Sequence, residues 1–199
     1  MLANLYLHWF DKLFHRSDGP YHWANARLVR YADDFVILAR HVGGRIGRFV
    51  EQTLQGRFGL MVNRDKTRTA KLNEPGESLD FLGYTFRYDR DLQGRPWKYL
   101  NLCPSDKSLQ RERDKLREMT GPRQCFKPIP ALIAQINEHL GGWGNYFAKG
   151  YPSKAFRQIN RFVQERLERH LKRRSQRPFR VTGGTTWYAQ LQRLGLKSL

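Results

Sequence analysis

Two adjacent carboxylates, Asp33 and Asp34, stand between the apolar runs Leu28-Val29 and Phe35-Val36-Ile37-Leu38. Aspartate suits a tight turn, because its short carboxylate tolerates turn geometry and bonds nearby backbone. The pattern therefore predicts two buried strands joined at Asp33 and Asp34, a hairpin with acids at its tip. Carboxylates one residue apart repel each other, and a divalent cation relieves that repulsion. Mg²⁺ favours carboxylate oxygens, retained water and substrate phosphates, so the pair could serve in-line nucleotidyl transfer. One ion would activate a 3′ hydroxyl and another would stabilise the leaving pyrophosphate. The competing reading is an ordinary solvated Asp-Asp turn.

Elements that could position these acids follow from periodicity. Residues 1–16 read as a helix with Leu5, Tyr6, Trp9, Leu13 and Phe14 on one stripe. After the Gly43-Gly44 break, Ile46, Phe49, Val50, Leu54 and Phe58 recur at helical spacing, and Gly59 ends that helix. The stretch LMVNRDKTRTAKL reads as extended and polar-alternating. Leu82, Tyr84, Phe86 and Tyr88 then alternate strictly, DRDLQGR turns, and Trp97, Tyr99 and the run to Leu102 return as a second hairpin.

From Pro104 the pattern becomes helical. Ser105 caps a helix carrying Leu109, Leu116 and Met119, which Gly121-Pro122 stops. A second helix from about Pro130 points Leu132, Ile133, Ile136 and Leu140 inward before Gly141, Gly142 and Gly144 interrupt it. A third, after Pro152-Ser153, points Phe156, Ile159, Phe162, Val163, Leu167 and Leu171 inward. The predicted class is α+β, with a mixed part over residues 1–103, a helical bundle over 104–180 and a short helix or tail over 181–199.

Charge indicates what such a chain meets. Among its 199 residues are 36 Lys plus Arg against 18 Asp plus Glu, a formal net charge of +18. Residues 1–100 hold 16 of the basic and 11 of the acidic side chains, whereas 101–199 hold 20 and 7. The helical half is thus the expected footprint for a polyanion, because cations that neutralise phosphates also release condensed counterions. With 40% hydrophobic and 13% aromatic residues the chain has material for a core and is unlike a disordered tail. Two cysteines, Cys103 and Cys125, make neither a disulfide framework nor a zinc site, and suggest a reducing compartment. No apolar run approaches a membrane span, and the N-terminus does not read as a signal peptide. The six histidines show no ligand spacing.

The tetrapeptide Tyr31-Ala32-Asp33-Asp34 resembles the catalytic hairpin of reverse transcriptases, in the form used by group II intron-encoded enzymes. Further blocks are similar in order. GLMVNRDKT at 59–67 resembles the next palm block, and Phe81-Leu82-Gly83-Tyr84 resembles the primer-grip block. INEHLGGWGNYF at 136–147 with FRQINRFVQERLERHL at 156–171 is similar to the maturase-specific thumb, or X, domain.

The resemblance implies the C-terminal part of a reverse-transcriptase palm followed by an all-helical thumb. It implies an RNA-directed DNA polymerase, a nucleotidyltransferase, and maturase acting in RNA splicing and intron mobility, working in a cytoplasmic ribonucleoprotein or at the nucleoid. Asp33 and Asp34 would bind Mg²⁺, and Tyr31 would pack beneath the primer terminus. Lys66 would lie near the incoming nucleotide, and Phe81, Leu82 and Gly83 would support the primer strand. Arg157, Arg161, Arg166, Arg169, Lys172, Arg173 and Arg174 would contact structured intron RNA through its phosphates. Trp143, Tyr146 and Phe147 are expected in the bundle core.

Enzymes of this kind carry another metal-binding acid and template-holding fingers well before the hairpin, where this sequence has about 30 residues. The expectation is an N-terminally truncated form that does not polymerise by itself, with an unpaired sheet edge and a partner fragment or self-association. No HNH nuclease pattern follows the thumb. The alternative is a non-enzymatic, basic RNA-binding splicing factor or a remnant of one.

Overall fold

The computed structural model describes residues 2–41, 43–91, 95–175, 179–181 and 183–199. It divides into two compact units, 1–70 and 71–199.

In the first unit, helix α1 (Leu2–His15) buries Leu7, Phe10 and Phe14 and leaves Leu5, Tyr6 and Trp9 at least half exposed. This corrects the expected stripe. A helix apolar at so many positions does not reveal by pattern which face is covered; the choice comes from its neighbours. A short helix, α2 (Pro20–Trp23), leads to strands β1 (Arg27–Tyr31) and β2 (Asp34–Leu38), which pair antiparallel with Tyr31 opposite Asp34. The Phe35 ring lies 5.5 Å from that of Phe10. The strands are half-buried rather than buried, because only the face bearing Leu28, Phe35 and Ile37 is covered. The opposite face shows Val29, Tyr31 and Leu38 to solvent.

Helix α3 (Gly44–Glu51) continues as a π-helical stretch, Gln52–Arg57, and buries Ile46, Val50 and Leu54 against the same core. Gly59 ends it at φ 63°, a left-handed conformation that glycine adopts without a Cβ penalty. Beyond it, residues 60–70 form no strand, contrary to the extended expectation. Asn63 instead turns the chain: its carbonyl accepts from the Thr67 hydroxyl at 2.7 Å and its side-chain oxygen from the Lys66 N–H at 3.2 Å. A local Asn bond to the backbone competes here with any ladder.

The second unit begins with a meander of β3 (Ser78–Phe81), β4 (Tyr84–Arg90) and β5 (Lys98–Pro104) in that order. The expected second hairpin is β4–β5; β3 is an additional strand, and Leu82 lies in a turn rather than in the strand. Part of the turn between β4 and β5, residues 92–94, lies outside the described residues.

Helix α4 (Asp106–Met119) follows β5 directly, with the Ser105 hydroxyl capping it by accepting from the Ser108 N–H at 3.2 Å. That junction explains why the division falls at residue 70 and not near 103. The Gly83 carbonyl accepts from the Ser105 N–H at 2.8 Å and the Ser108 hydroxyl at 2.9 Å, which stitches the β3–β4 turn to the start of α4.

Helices α5 (Ile129–Tyr146), α6 (Ser153–Arg173) and α7 (Trp187–Arg193) complete a bundle around Leu116, Leu132, Ile136, Ile159, Val163, Leu167 and Leu191. Gly141, Gly142 and Gly144 do not interrupt α5, which runs through them. At Gly144 a Cβ would stand 2.6 Å from the Leu199 side chain, so that glycine makes room for the final segment. Asn137 and Asn160 pin the same segment through the backbone of Gly195, Lys197 and Leu199.

Candidate functional site

The acidic hairpin turns through two residues, Ala32 and Asp33, with Ala32 at φ 52°. Asp33 therefore sits in the turn while Asp34 begins β2 opposite Tyr31, and both carboxylates are exposed. Asp34 and Tyr31 share the open face of the hairpin with Val29. Arg30, one residue from Tyr31, faces inward, where a guanidinium needs a partner. It finds Asp11 of α1, donating from Nη2 to Oδ2 at 2.6 Å and from Nε at 3.0 and 3.1 Å. Its Nη1 reaches the Ala32 carbonyl at 2.8 Å and the Asn4 side chain at 3.2 Å. The Asp11 bond raises the Arg30 pKa further above its ordinary value, with burial opposing and the Asp11 charge assisting. Arg30 thus clamps the acidic turn to α1. Sequence reasoning missed this pair, although Asp11 lies four residues after Leu7, on the buried side of α1.

Lys66 belongs to the same unit, in the Asn63 turn, and is exposed. Among the described residues no group of three or more His, Cys, Asp or Glu side chains is arranged to hold a metal ion. Asp33 and Asp34 offer hard oxygen donors suited to Mg²⁺, but they are two carboxylates, short of a closed set.

In the second unit, Phe81 ends β3 and Leu82 and Gly83 form the two-residue turn to β4. Leu82 at φ 50° and Gly83 at φ 80° both take left-handed backbone, as a type I′ hairpin turn requires. The turn is held from behind by aromatic residues of α5. The Tyr146 hydroxyl donates to the Leu82 carbonyl at 2.8 Å, the Tyr84 hydroxyl donates to the Tyr146 carbonyl, and the Tyr84 and Phe147 rings lie 4.9 Å apart. Burial raises the Tyr84 pKa most, with a smaller contribution from Tyr146. Phe147 is buried and Trp143 half-buried, as expected of core residues, whereas Tyr146 is exposed. Its task is to bond the turn.

The cations of α6 fall on two faces. At 100° per residue, Arg157, Arg161 and Lys172 lie on the outward side. Glu165 accepts from Arg161 at 3.0 Å and Glu168 from Lys172 at 2.6 Å. Arg166, Arg169 and Arg173 lie on the side turned to α4. There the buried Thr120 acts as a hub: its hydroxyl accepts from Arg166 Nε at 3.1 Å and its carbonyl from Arg173 Nη2 at 3.0 Å. The same carbonyl takes the Nδ1–H of His170 at 3.2 Å. Arg174, at the end of α6, is half-buried. Thr120 follows the last turn of α4, so these bonds also satisfy carbonyl charge at a helix C-terminus.

His170 is fully buried, and among the described residues its Nε2 has no hydrogen-bond partner. Burial pushes the imidazole pKa down; the Thr120 bond opposes this, and Arg173, Arg174 and Arg166 add to the lowering. A second buried titratable group, Glu112, receives His139 Nε2 at 3.0 Å between α4 and α5. Burial raises its carboxyl pKa more than His139 lowers it.

Residues 109–187, spanning α4 to the start of α7, match the family model of the group II intron, maturase-specific domain. Over those residues the chain is similar to that domain. No curated protein matches the chain. Among the described residues no helix is long and apolar enough to cross a membrane.

Proposed function

We propose that this chain serves a group II intron as part of an RNA-directed DNA polymerase and maturase, with its basic helical part gripping structured intron RNA. The carrying observation is the match over residues 109–187, which falls on a bundle whose longest helix bears cations on two exposed faces. A polyanion recognised by shape and phosphates suits such a surface better than an apolar ligand does.

In the polymerase reading, Asp33 and Asp34 would hold Mg²⁺, which when bound supplies charge neutralisation for nucleotidyl transfer. Arg30 fixes the turn that carries Asp33, by tying Ala32 to α1. Tyr31, beside Asp34 on the open face, offers a flat apolar support for a primer terminus. Lys66 is an exposed cation that would meet phosphate charge, and Phe81, Leu82 and Gly83 would support the primer strand. RNA template and DNA primer are the corresponding partners, in a cytoplasmic or nucleoid-associated ribonucleoprotein.

Two carboxylates do not complete a two-metal clamp, so these 199 residues by themselves are expected to bind RNA without extending a primer. The shortage of acids equally favours the second reading, a non-enzymatic RNA-binding splicing factor. Primer extension on an RNA template with Mg²⁺, run beside RNA binding, tests these statements. The expected result is salt-dependent binding that survives Asp33→Ala, with no extension. Robust extension abolished by Asp33→Ala would overturn the claim of inactivity, and absence of RNA binding would overturn the maturase reading itself.

A further inference from the structure

Like charges gathered on one surface require either acids between them or an anion from outside. Along the outward face of α6 the acids Glu165 and Glu168 bond Arg161 and Lys172, and Arg157 donates to the Ser153 carbonyl at 3.3 Å. On the face toward α4 the arrangement differs. Arg117 of α4 stacks over Phe162 of α6, with the guanidinium 5.2 Å from the ring centre, and Arg113 donates to Gln158 at 3.3 Å. Arg166 and Arg173 are oriented by Thr120, and the exposed Arg169 lies between them in sequence and on the same face. Arg117 also donates to Asp114, one turn earlier on α4.

We infer that the α4–α6 face formed by Arg117, Arg166, Arg169 and Arg173 is a phosphate-binding clamp for the backbone of structured RNA, and that the outward cations Arg157, Arg161 and Lys172 are not. The inference rests on the maturase reading above and narrows it to one side of one helix.

Three physical features carry it. First, preorganisation: Thr120 uses one N–H each of Arg166 and Arg173, and a guanidinium has five, so donors remain while the rotamers are held. Second, electrostatics: burial disfavours the cationic form of Arg166 most, and the neighbouring charges of Arg169, Arg173 and Arg117 disfavour it further. A phosphodiester placed among them removes that repulsion. Third, geometry: guanidinium forks match phosphate oxygens in pairs, which favours arginine over lysine for such contacts. Lys172, paired with Glu168 and set over Trp187 at 5.4 Å, is held in place but has an acid partner and no guanidinium fork.

The test is equilibrium binding of a 20-base-pair RNA hairpin by the full 199-residue chain across a salt series. Arg169→Gln and Arg117→Gln remove charge without breaking the Thr120 hub, and Arg157→Gln and Arg161→Gln serve as the opposite-face comparison. Circular dichroism melting verifies that each variant folds. The expected result is that each clamp variant binds about fivefold to tenfold more weakly at 0.1 M salt, with the log–log salt slope smaller by about 1. The outward variants should match wild type. Equal losses from both faces, or wild-type binding by Arg169→Gln and Arg117→Gln together, would overturn the clamp while leaving RNA binding intact. No binding of the hairpin by the wild-type chain would overturn both this inference and the maturase reading.

Discussion

Arg30 grips the Asp11 carboxylate with three N–H contacts at 2.6–3.1 Å and, from the same guanidinium, holds the Ala32 carbonyl at 2.8 Å. A helix and the acidic turn are therefore joined through one side chain, although Asp11 and Arg30 are 19 residues apart. Both side chains are less than a third exposed. Removing the carboxylate leaves an inward guanidinium without its anion.

Asp11→Asn should therefore destabilise the unit formed by residues 1–70 by about 2 kcal/mol, the usual order for a charge-assisted bond with little solvent access. Urea denaturation followed by tryptophan fluorescence measures it. Asp33→Ala, at an exposed turn position, should lie within about 0.5 kcal/mol of wild type in the same experiment.

His170 makes the helical bundle sensitive to acid. Its folded pKa lies below its ordinary value, so the unfolded chain binds the proton more readily and stability falls as pH falls through about 6.5 toward the lowered folded value. Glu112, raised by burial, acts in the opposite sense: its contribution is present at low pH and is lost as pH rises above the ordinary carboxylate range. The difference between wild type and His170→Gln isolates the histidine. Melting temperatures measured from pH 7.5 to 5 should fall more steeply for wild type than for the variant; parallel profiles would contradict this assignment.

Two glycines should respond to alanine with opposite signs. Gly150 has φ 79°, and a Cβ there would meet the Leu102 carbonyl oxygen at 2.3 Å, a backbone atom that cannot step aside. Gly150→Ala should cost about 2 kcal/mol or more. Gly142 lies within α5 with open space around it, so Gly142→Ala should stabilise by about 0.5–1 kcal/mol through helix propensity. Thermal melts of the two variants distinguish them.

The turn at Leu82-Gly83 holds a bulky residue in left-handed backbone, where Asn-Gly is the favoured pair. Leu82→Asn should raise stability by about 1 kcal/mol, while the Tyr146 hydroxyl keeps its bond to the residue 82 carbonyl. If the leucine supports a nucleic-acid strand, the same variant should weaken primer–template binding, and a gel-shift titration reads that second effect.

How much of this was legible in the sequence differs between local and distant features. The Ser105 cap, the inward residues of α6 and the glycine stop after the α3 helical segment each depend on neighbours within a few positions, and they appear where periodicity and turn chemistry put them; the acidic hairpin also forms, but it turns through Ala32-Asp33, one residue earlier than expected, and Asp34 opens β2. The stripe of α1 was misassigned because a helix apolar on most sides has no single face until β1 and β2 cover one. In the segment after Gly59 the alternation that suggests an extended chain is visible in the sequence, whereas the side-chain bond of Asn63 to its own turn is not. The glycines of α5 were read as breakers because sequence shows flexibility, whereas Gly144 provides space for Leu199.

By itself, then, the sequence determined a mixed part followed by a helical part, the acids at a hairpin tip, and an excess of cations concentrated in the second half, since each follows from local periodicity or from counting charge. Only tertiary structure decided which partners those groups take. Arg30 meets Asp11, Thr120 gathers Arg166, Arg173 and His170, and on the outward side of α6 Glu165 and Glu168 hold Arg161 and Lys172. The physical reason is the same in each case: hydrogen bonding and Coulomb forces act over a few ångströms, and the chain brings residues that close only after it has folded.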